Sequence, residues 1–113
     1  MLLLRCTRRL LSDVKRHLPD AAPADRSTTR LGDWFANRVN VAQQRYVIAL
    51  SSTTLLPVIV PARDPAGLPQ RIADAVATLL TLIGAEDHVV AAEIAEMTPV
   101  HVTATNDRSI VAS

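Results

Sequence analysis

The sequence predicts an α+β fold, in which a small and mainly antiparallel β-sheet carries two or three helices on one face. Two stretches, 7–18 and 69–83, have apolar residues at helical spacing, and each is followed by a residue that stops a helix. Between them, side chains alternate with a period of two from Trp34 onward, which is typical of strands. With 113 residues, of which 49% are hydrophobic and 20% charged, the chain has the composition of one globular domain spanning 1–113.

The chain begins with a short strand and an amphipathic helix. MLLLRC has room for one strand, and we interpret Cys6, the only cysteine, as a small buried apolar residue rather than a reactive thiol. Thr7 is in the N-cap position of the helix. The apolar stripe of this helix consists of Leu10, Leu11, Val14 and Leu18. Pro19 ends the helix, and the loop at 19–33 that follows has a length typical of functional or mobile segments.

Three strands that follow closely in sequence predict an antiparallel meander. They are the segment from Trp34 to Val41, RYVIALSS and TLLPVIVP. In the first strand, alternation places Trp34, Ala36, Arg38 and Asn40 on one face and Phe35, Asn37, Val39 and Val41 on the other. Pro57 has no backbone donor, so the third strand lies at an edge or contains a bulge.

All the aromatic residues of the chain fall in this meander, namely Trp34, Phe35 and Tyr46. Because they lie on two neighbouring strands, we expect their rings to close one end of the sheet beneath the 19–33 loop. Packing then explains these rings without a ligand.

The C-terminal part predicts two helices and a last strand. The clearest stripe, in QRIADAVATLLTLIG, consists of Ile72, Val76, Leu79, Leu80 and Ile83, and Gly84 stops the helix. AEDHVVAAEIAEM predicts a shorter helix, PVHVTAT a strand, and NDRSIVAS a polar turn. Because Glu86, Glu93 and Glu96 share no ligand face with His88, we interpret them as a solvated acidic face and predict no metal site.

The charges are unevenly distributed. Residues 1–45 have nine Lys/Arg and four Asp/Glu, a net charge of +5, whereas residues 46–113 have three and seven, a net charge of −4. This polarity is compatible with a nucleic-acid surface, with a head-to-tail contact between chains, or with two differently solvated faces. The single cysteine excludes an intrachain disulfide, no glycine-rich loop predicts a phosphate cofactor, and no apolar run is long enough to cross a membrane. We therefore expect a cytoplasmic protein without a cofactor.

Polar residues around the first hairpin and near the end of the chain are the best candidates for a site. They are Asn37, Arg38, Asn40, Gln43, Gln44 and Arg45, with Asn106, Asp107, Arg108 and Ser109. If Trp34 and Arg38 share an open sheet face, they can stack a base or hold a peptide. The alternative is that Trp34 packs under the long loop and Arg38 extends over it.

Four segments, RCTRRLL, DWFANRVNV, RYVIALSS and TNDRSIVAS, occur in an order and at a spacing that resemble the small bacterial proteins grouped as domain of unknown function 6933. The resemblance covers nearly the whole chain. It implies the opening strand and helix and equivalent positions at Trp34, Ala36, Asn37, Arg108 and Ser109, but it implies no reaction.

The chain departs from that family pattern at three places. Relatives often have a histidine where this chain has Phe35, so this chain has lost that function if the histidine acts as a base or ligand. They also have a more continuous basic run where this chain has AQQR, and they continue beyond Ser113. We therefore expect this chain to be short at its C-terminus, by truncation or by evolution.

Three functional hypotheses follow. The first is a small cytoplasmic bacterial interaction module in an accessory system, acting on a protein partner or as a homodimer, with a binding site among Trp34, Asn37, Arg38, Arg108 and Ser109. The second is a nucleic-acid-binding protein, whose contacts are Arg5, Arg8, Arg9, Arg38 and Arg45. The third is an enzyme with a site around Trp34, Asn37 and Arg108, although the sequence shows no catalytic constellation and favours a protein without catalysis.

Overall fold

The computed structural model describes residues 1–105, which form a five-stranded mixed sheet with three α-helices. The strands are β1 (Leu2–Cys6), β2 (Trp34–Val41), β3 (Gln44–Ser51), β4 (Pro57–Pro61) and β5 (Val100–Ala104). The helices are α1 (Arg8–Val14), α2 (Leu68–Leu82) and α3 (Asp87–Glu96), and a 3₁₀ turn at Pro65–Gly67 precedes α2. The predicted α+β class is confirmed.

The sheet has the strand order β4-β3-β2-β1-β5. The predicted meander of β2, β3 and β4 is antiparallel, and β4 lies at an edge as its proline indicated. β1 is inserted between β2 and β5 and runs parallel to both, so the sheet is mixed although its longest pairing is antiparallel. No helix among residues 1–105 is long and apolar enough to cross a membrane.

The first helix is shorter than the predicted 7–18. It ends at Val14, and tighter bonds follow, such as the N–H of His17 donating to the carbonyl of Val14. Pro19 restricts the residue before it, Leu18, and so keeps the helix from continuing past that point. The side chain of Leu18 is still buried, so the predicted stripe survives the change in backbone.

The core lies on the sheet face that the helices cover. Alternate residues of the strands fill it, and α2 adds its buried stripe, Leu68, Ile72, Val76 and Leu80. Cys6 is fully buried there, and burial raises the pKa of its thiol to about 12, as expected for an unreactive apolar residue. Ile83, predicted to belong to the stripe, is instead 58% exposed, because α2 ends one residue earlier, before Gly84 at φ 93°.

The predicted aromatic cluster is wrong. Trp34 and Phe35 are adjacent on β2 and therefore point to opposite faces of the sheet. Tyr46 pairs with Val39, whereas Trp34 pairs with Ser51 at the other end of β3. The five-residue offset along β2 separates Tyr46 from Trp34 by about 17 Å at the usual rise of a strand. The hairpin register thus separates residues that are close in sequence.

The 19–33 loop wraps around one edge of the sheet. Its first part pairs with the outer side of β5, where Ala21 donates to the carbonyl of Val102 and Val102 donates to that of Pro19. It continues to the other side of β1, where the hydroxyl of Ser27 accepts from the N–H of Leu3 at 2.8 Å. These bonds cover the β5 edge with the chain's own backbone.

The acidic face predicted for the shorter helix is partly wrong, because Glu93 is only 4% exposed. Its carboxylate accepts the backbone N–H groups of Arg30 at 2.9 Å and Leu31 at 3.0 Å. Glu96 accepts the hydroxyl proton of Thr28. Two of the predicted solvated acids therefore attach α3 to the long loop.

Candidate functional site

A pocket of about 660 Å³ lies where β2 and β3 extend beyond the helix-covered core. α1 contributes one wall through Asp13, the β2–β3 hairpin contributes the floor, and the connection from β4 to the 3₁₀ turn contributes the second wall. The lining residues are Asp13, Arg38, Gln43, Gln44, Arg45, Tyr46, Pro61, Ala62, Arg63, Asp64 and Pro65. The volume is in the range of small-molecule and peptide side-chain sites.

The alternation of β2 explains why an arginine lies at the end of the core. Trp34 and Ala36 are fully buried on the helix-covered face, and Arg38 is the next residue on that face. Its Nη1 donates to Oδ2 of Asp13 at 2.7 Å, and its side chain is 16% exposed. Its Nε is buried and has no hydrogen-bond partner among residues 1–105. Since buried donors are normally paired, this nitrogen marks Arg38 as a group with unused donor capacity.

Arg45 and Arg63 add two more guanidinium groups to the lining. Both residues are exposed, and neither forms an ion pair within the described part of the chain. Arg45 pairs with Asn40 at the start of β3, and its carbonyl accepts the N–H of Ala62. The strand pairing therefore fixes Arg45 beside the connection that contains Arg63.

Arg71, on α2, holds this connection in place. Its guanidinium donates to the carbonyls of Pro61 at 3.1 Å and Asp64 at 3.1 Å, and also to that of Arg63. Three bonds from one side chain fix the backbone of a wall that has no regular secondary structure of its own.

The backbone is strained on both sides of the pocket. Ala42 and Gln43 form the two-residue turn of the hairpin with φ angles of 50° and 68°, and Asp64 has a φ of 51°. Such two-residue turns favour Asn-Gly, because residues with a Cβ lose about 1–2 kcal/mol in the left-handed region. Strain of this kind concentrates at functional sites.

The described lining of the pocket has more guanidinium groups than carboxylates. It contains three arginines and two aspartates. Residues 1–105 contain no group of three histidine, cysteine, aspartate or glutamate residues that could hold a metal ion. Guanidinium groups bind carboxylates and phosphates through paired N–H donors.

A family model described as Domain of unknown function (DUF6933) matches residues 3–113. The chain belongs to this family. No curated protein is significantly similar to it, and neither is any solved structure. The predicted DUF6933 membership is thereby confirmed over essentially the whole chain.

The described family-equivalent residues, Trp34, Ala36 and Asn37, do not line this pocket. Trp34 is in the core, and its Nε1 is buried without a hydrogen-bond partner among the described residues. Asn37 lies on the opposite face of β2, where its Oδ1 accepts from the hydroxyl of Thr7 at 3.0 Å. Thr7 is the N-cap residue of α1, but it makes this bond instead of a side-chain cap. Arg108 and Ser109, with the predicted NDRSIVAS turn, lie outside the described residues.

Trp34 is therefore on the opposite sheet face from Asn37 and is separated from Arg38 along β2. Trp34 and Arg38 share a sheet face as the alternation predicted, but this is the face that the helices cover, not an open one. Of the hairpin residues singled out in the sequence, Arg38, Gln43, Gln44 and Arg45 line the pocket. Asp13, Arg63 and Asp64 were missed, because they belong to elements distant in sequence.

The five arginines of the nucleic-acid hypothesis lie on different surfaces. Arg5 points to the sheet face away from the helices and binds Asp33, with Nε and Oδ2 2.8 Å apart. Arg8 and Arg9 are exposed in the first turn of α1 and do not line the pocket. Arg38 and Arg45 are the members of this set that line it.

The sheet face away from the helices is a weaker candidate. On β2–β4 it carries apolar side chains such as Phe35, Ile48, Leu50 and Ile59. Three strands over five residues cover an area of about 250 Å². A standard interface buries about 800 Å² on each partner, so this face is too small for one. The β4 edge is also protected, since Pro57 and Pro61 occupy outward-facing backbone positions and leave only Ile59 with an outward N–H between them.

Proposed function

We propose that this DUF6933 protein is an interaction module of the bacterial cytoplasm, which binds an acidic segment of a partner protein in the arginine pocket. The observation that carries the proposal is the presence of Arg38, Arg45 and Arg63 in one pocket lining, two of them without an ion pair among residues 1–105. Carboxylates form charge-assisted hydrogen bonds with such groups.

The position of the pocket supports recognition of side chains rather than addition of a strand. β4 has prolines at the two ends of its outer edge, and the backbone of Pro19 and Ala21 pairs with the outer side of β5. Backbone pairing with a partner is therefore disfavoured at both edges. The pocket remains as a concave surface with excess donors, and charge complementarity points to an acidic occupant.

Direct binding measurements test the proposal. Fluorescence anisotropy would be recorded with a labelled glutamate-rich peptide and with a thymidine oligonucleotide of equal net charge. We expect the peptide to bind, and we expect Arg45→Glu/Arg63→Glu to weaken it at least about thirtyfold, since each charged hydrogen bond is worth about 1.5–3 kcal/mol. The matched control is Arg8→Glu/Arg9→Glu, which makes the same charge change outside the pocket. Equal weakening by both double variants, or no peptide binding, would refute the proposal.

Nucleic-acid binding is the second candidate, and the net charge of +5 in residues 1–45 favours it. It makes the opposite prediction for the same variants. The oligonucleotide would bind better than the peptide, its affinity would fall steeply with salt, and Arg8→Glu/Arg9→Glu would weaken it as much as the pocket variant. The position of Arg5 on the other sheet face, paired with Asp33, counts against one continuous basic surface.

The same variants distinguish a homodimer from a separate partner. If the acidic segment belonged to a second copy of this chain, sedimentation would show a concentration-dependent dimer that Arg45→Glu/Arg63→Glu dissociates. We expect the wild-type protein to sediment as a monomer at micromolar concentration. A dimer that survives the pocket variant would place self-association elsewhere and would leave the peptide measurements to decide the function of the pocket.

A further inference from the structure

We infer that the group bound in the pocket is a phosphate monoester on a side chain of the partner, that is, a phosphorylated serine, threonine or tyrosine. This inference rests on the proposed function, because it identifies the acidic group that the interaction module recognises. Three features of the pocket support it: the balance of charges, the separate origins of the arginines, and the volume.

The pocket has more positive charge than one carboxylate neutralises. Arg38 is matched by Asp13 at 2.7 Å. Asp64 forms no ion pair among the described residues, but Arg71 fixes the wall beside it. Four arginines, with Arg71 included, and two aspartates therefore surround the pocket and give a net charge of +2. Arg45 and Arg63 form no ion pair among the described residues. A carboxylate carries one negative charge, whereas a phosphate monoester carries about 1.5–2 at neutral pH.

The arginines also come from three separate segments of the chain. Arg38 is on β2, Arg45 is on β3, and Arg63 is on the connection that Arg71 fixes. A carboxylate is planar and is satisfied by one guanidinium in a bidentate pair. A phosphate group has three terminal oxygens in a tetrahedral arrangement, so it can accept from guanidinium groups on several sides. The lining therefore suits a tetrahedral anion better than a planar one.

The volume indicates that the phosphate is attached to a larger molecule. A single water molecule takes about 30 Å³ of liquid volume, so a free phosphate ion fills only a small part of about 660 Å³. The remaining described lining residues include the uncharged Pro61, Ala62, Pro65 and Gln43. These groups fit a peptide backbone and its neighbouring side chains on either side of a phosphorylated residue.

Matched peptides test the inference. A short synthetic peptide would have serine, phosphoserine or glutamate at its central position between two glutamates, and inorganic phosphate would serve as a competitor. We expect the phosphoserine peptide to bind at least tenfold more tightly than the glutamate peptide. We also expect Arg45→Gln/Arg63→Gln to remove this difference, whereas Arg8→Gln/Arg9→Gln keeps it. Because Arg45 and Arg63 are exposed, we expect the variants to fold. Circular dichroism would check this for each variant.

The pH dependence gives an independent readout. The second ionisation of a phosphate monoester has a pKa near 6, so binding of the phosphoserine peptide should strengthen between about pH 5 and pH 7.5. The ionisable residues of the lining are aspartate, arginine and one tyrosine, from α1, β2, β3 and the Arg63–Asp64 wall, and none of them has an ordinary pKa in that interval. Binding of the glutamate peptide should therefore stay constant over the same range.

The outcomes separate the inference from the proposed function. If phosphoserine and glutamate peptides bind equally, the phosphate inference is wrong and the acidic-segment proposal stands. If inorganic phosphate binds as tightly as the phosphoserine peptide, the occupant is a small anion and the inference is also wrong. If no peptide binds and the pocket variants behave as wild type, both fail. A tenfold preference that depends on Arg45 and Arg63 and rises with pH supports both.

Discussion

Replacing Glu93 by glutamine tests how the longest loop of the fold is fixed. The carboxylate is 4% exposed and uses both oxygens, Oε1 for the N–H of Arg30 and Oε2 for the N–H of Leu31. Glutamine has the same shape but only one acceptor oxygen. In Glu93→Gln one backbone N–H keeps its acceptor, and the other meets an NH₂ donor in a buried site.

The magnitude follows from the two bonds. A hydrogen bond to a charged group contributes about 1.5–3 kcal/mol, and an unsatisfied buried donor costs about 1–3 kcal/mol. In the variant one hydrogen bond is lost, the other is weakened because its acceptor is no longer charged, and two N–H donors point at each other. Together these changes should lower the free energy of unfolding by about 3 kcal/mol. That is a large share of the about 5–15 kcal/mol that stabilises a small domain. With a urea dependence of about 1–3 kcal/mol per molar, the midpoint should fall by about 1–3 M.

Urea unfolding at neutral pH measures this effect, with Trp34 as the reporter because it is the only tryptophan and is fully buried. Glu86→Gln is the matched control, since the side chain of Glu86 is 77% exposed and lies 3.3 Å from that of the exposed His88. The control should change stability by less than about 0.5 kcal/mol. If Glu93→Gln unfolded at the same urea concentration as the control, the carboxylate would not be what holds the loop, and the reasoning would be refuted.

Three further predictions concern the backbone and one ion pair. Ala42→Asn/Gln43→Gly should raise the free energy of unfolding by about 1–2 kcal/mol, because both residues have positive φ angles in a two-residue hairpin turn. Thermal unfolding measures this, and an unchanged midpoint would show that the turn is not strained. Gly32→Ala should destabilise the fold by about 1–3 kcal/mol in the same assay, because Gly32 has a φ of 73° and the exposed hydroxyls of Ser52 and Thr53 must move away from an added Cβ. The control is Gly84→Ala, where the φ is also positive but no atom lies within 4 Å. The pKa of Asp25 is lowered, first by the N–H of Ala22 and then by the side chain of His101, so its ionised form contributes stability above its ordinary pKa that is lost as the pH falls through the lowered value. The stability difference between wild type and Asp25→Asn should accordingly shrink as the pH falls below about 4, and a difference that stays constant in acid would contradict the linkage.

The sequence predicted those parts of the fold that depend on local periodicity. The stripe of α2 and the alternation of β2 were sufficient to place both elements, because each element covers enough residues to show its period. The central position of β1 was missed, although a signal for it was present. Leu2, Leu3 and Leu4 are all buried, and such a continuous apolar run is typical of a parallel strand covered on both faces.

The candidate site could be predicted only in part, for a reason of topology. The hairpin places Arg38 and Arg45 close together through local pairing, so the sequence indicated them. Asp13 precedes them by a long loop, and Arg63 follows after another strand, so their convergence depends on how α1 and the β4–α2 connection pack. The wrong aromatic cluster has the same origin, since closeness in sequence predicts contact across a hairpin only when the register is known.

The arrangement of β2 separates the stability of the protein from its proposed binding. The same alternation that buries Trp34 and Ala36 places Arg38 at the end of the core, where its charge meets Asp13 instead of apolar side chains. Arg45 and Arg63 contribute nothing to the core and remain exposed. Charges that are unmatched in the free protein lower its stability slightly through mutual repulsion, and an anion that neutralises them removes this cost. Binding of an anionic partner should therefore stabilise the wild-type fold, and this gain should disappear when Arg45 and Arg63 are neutralised, even though the core is unchanged.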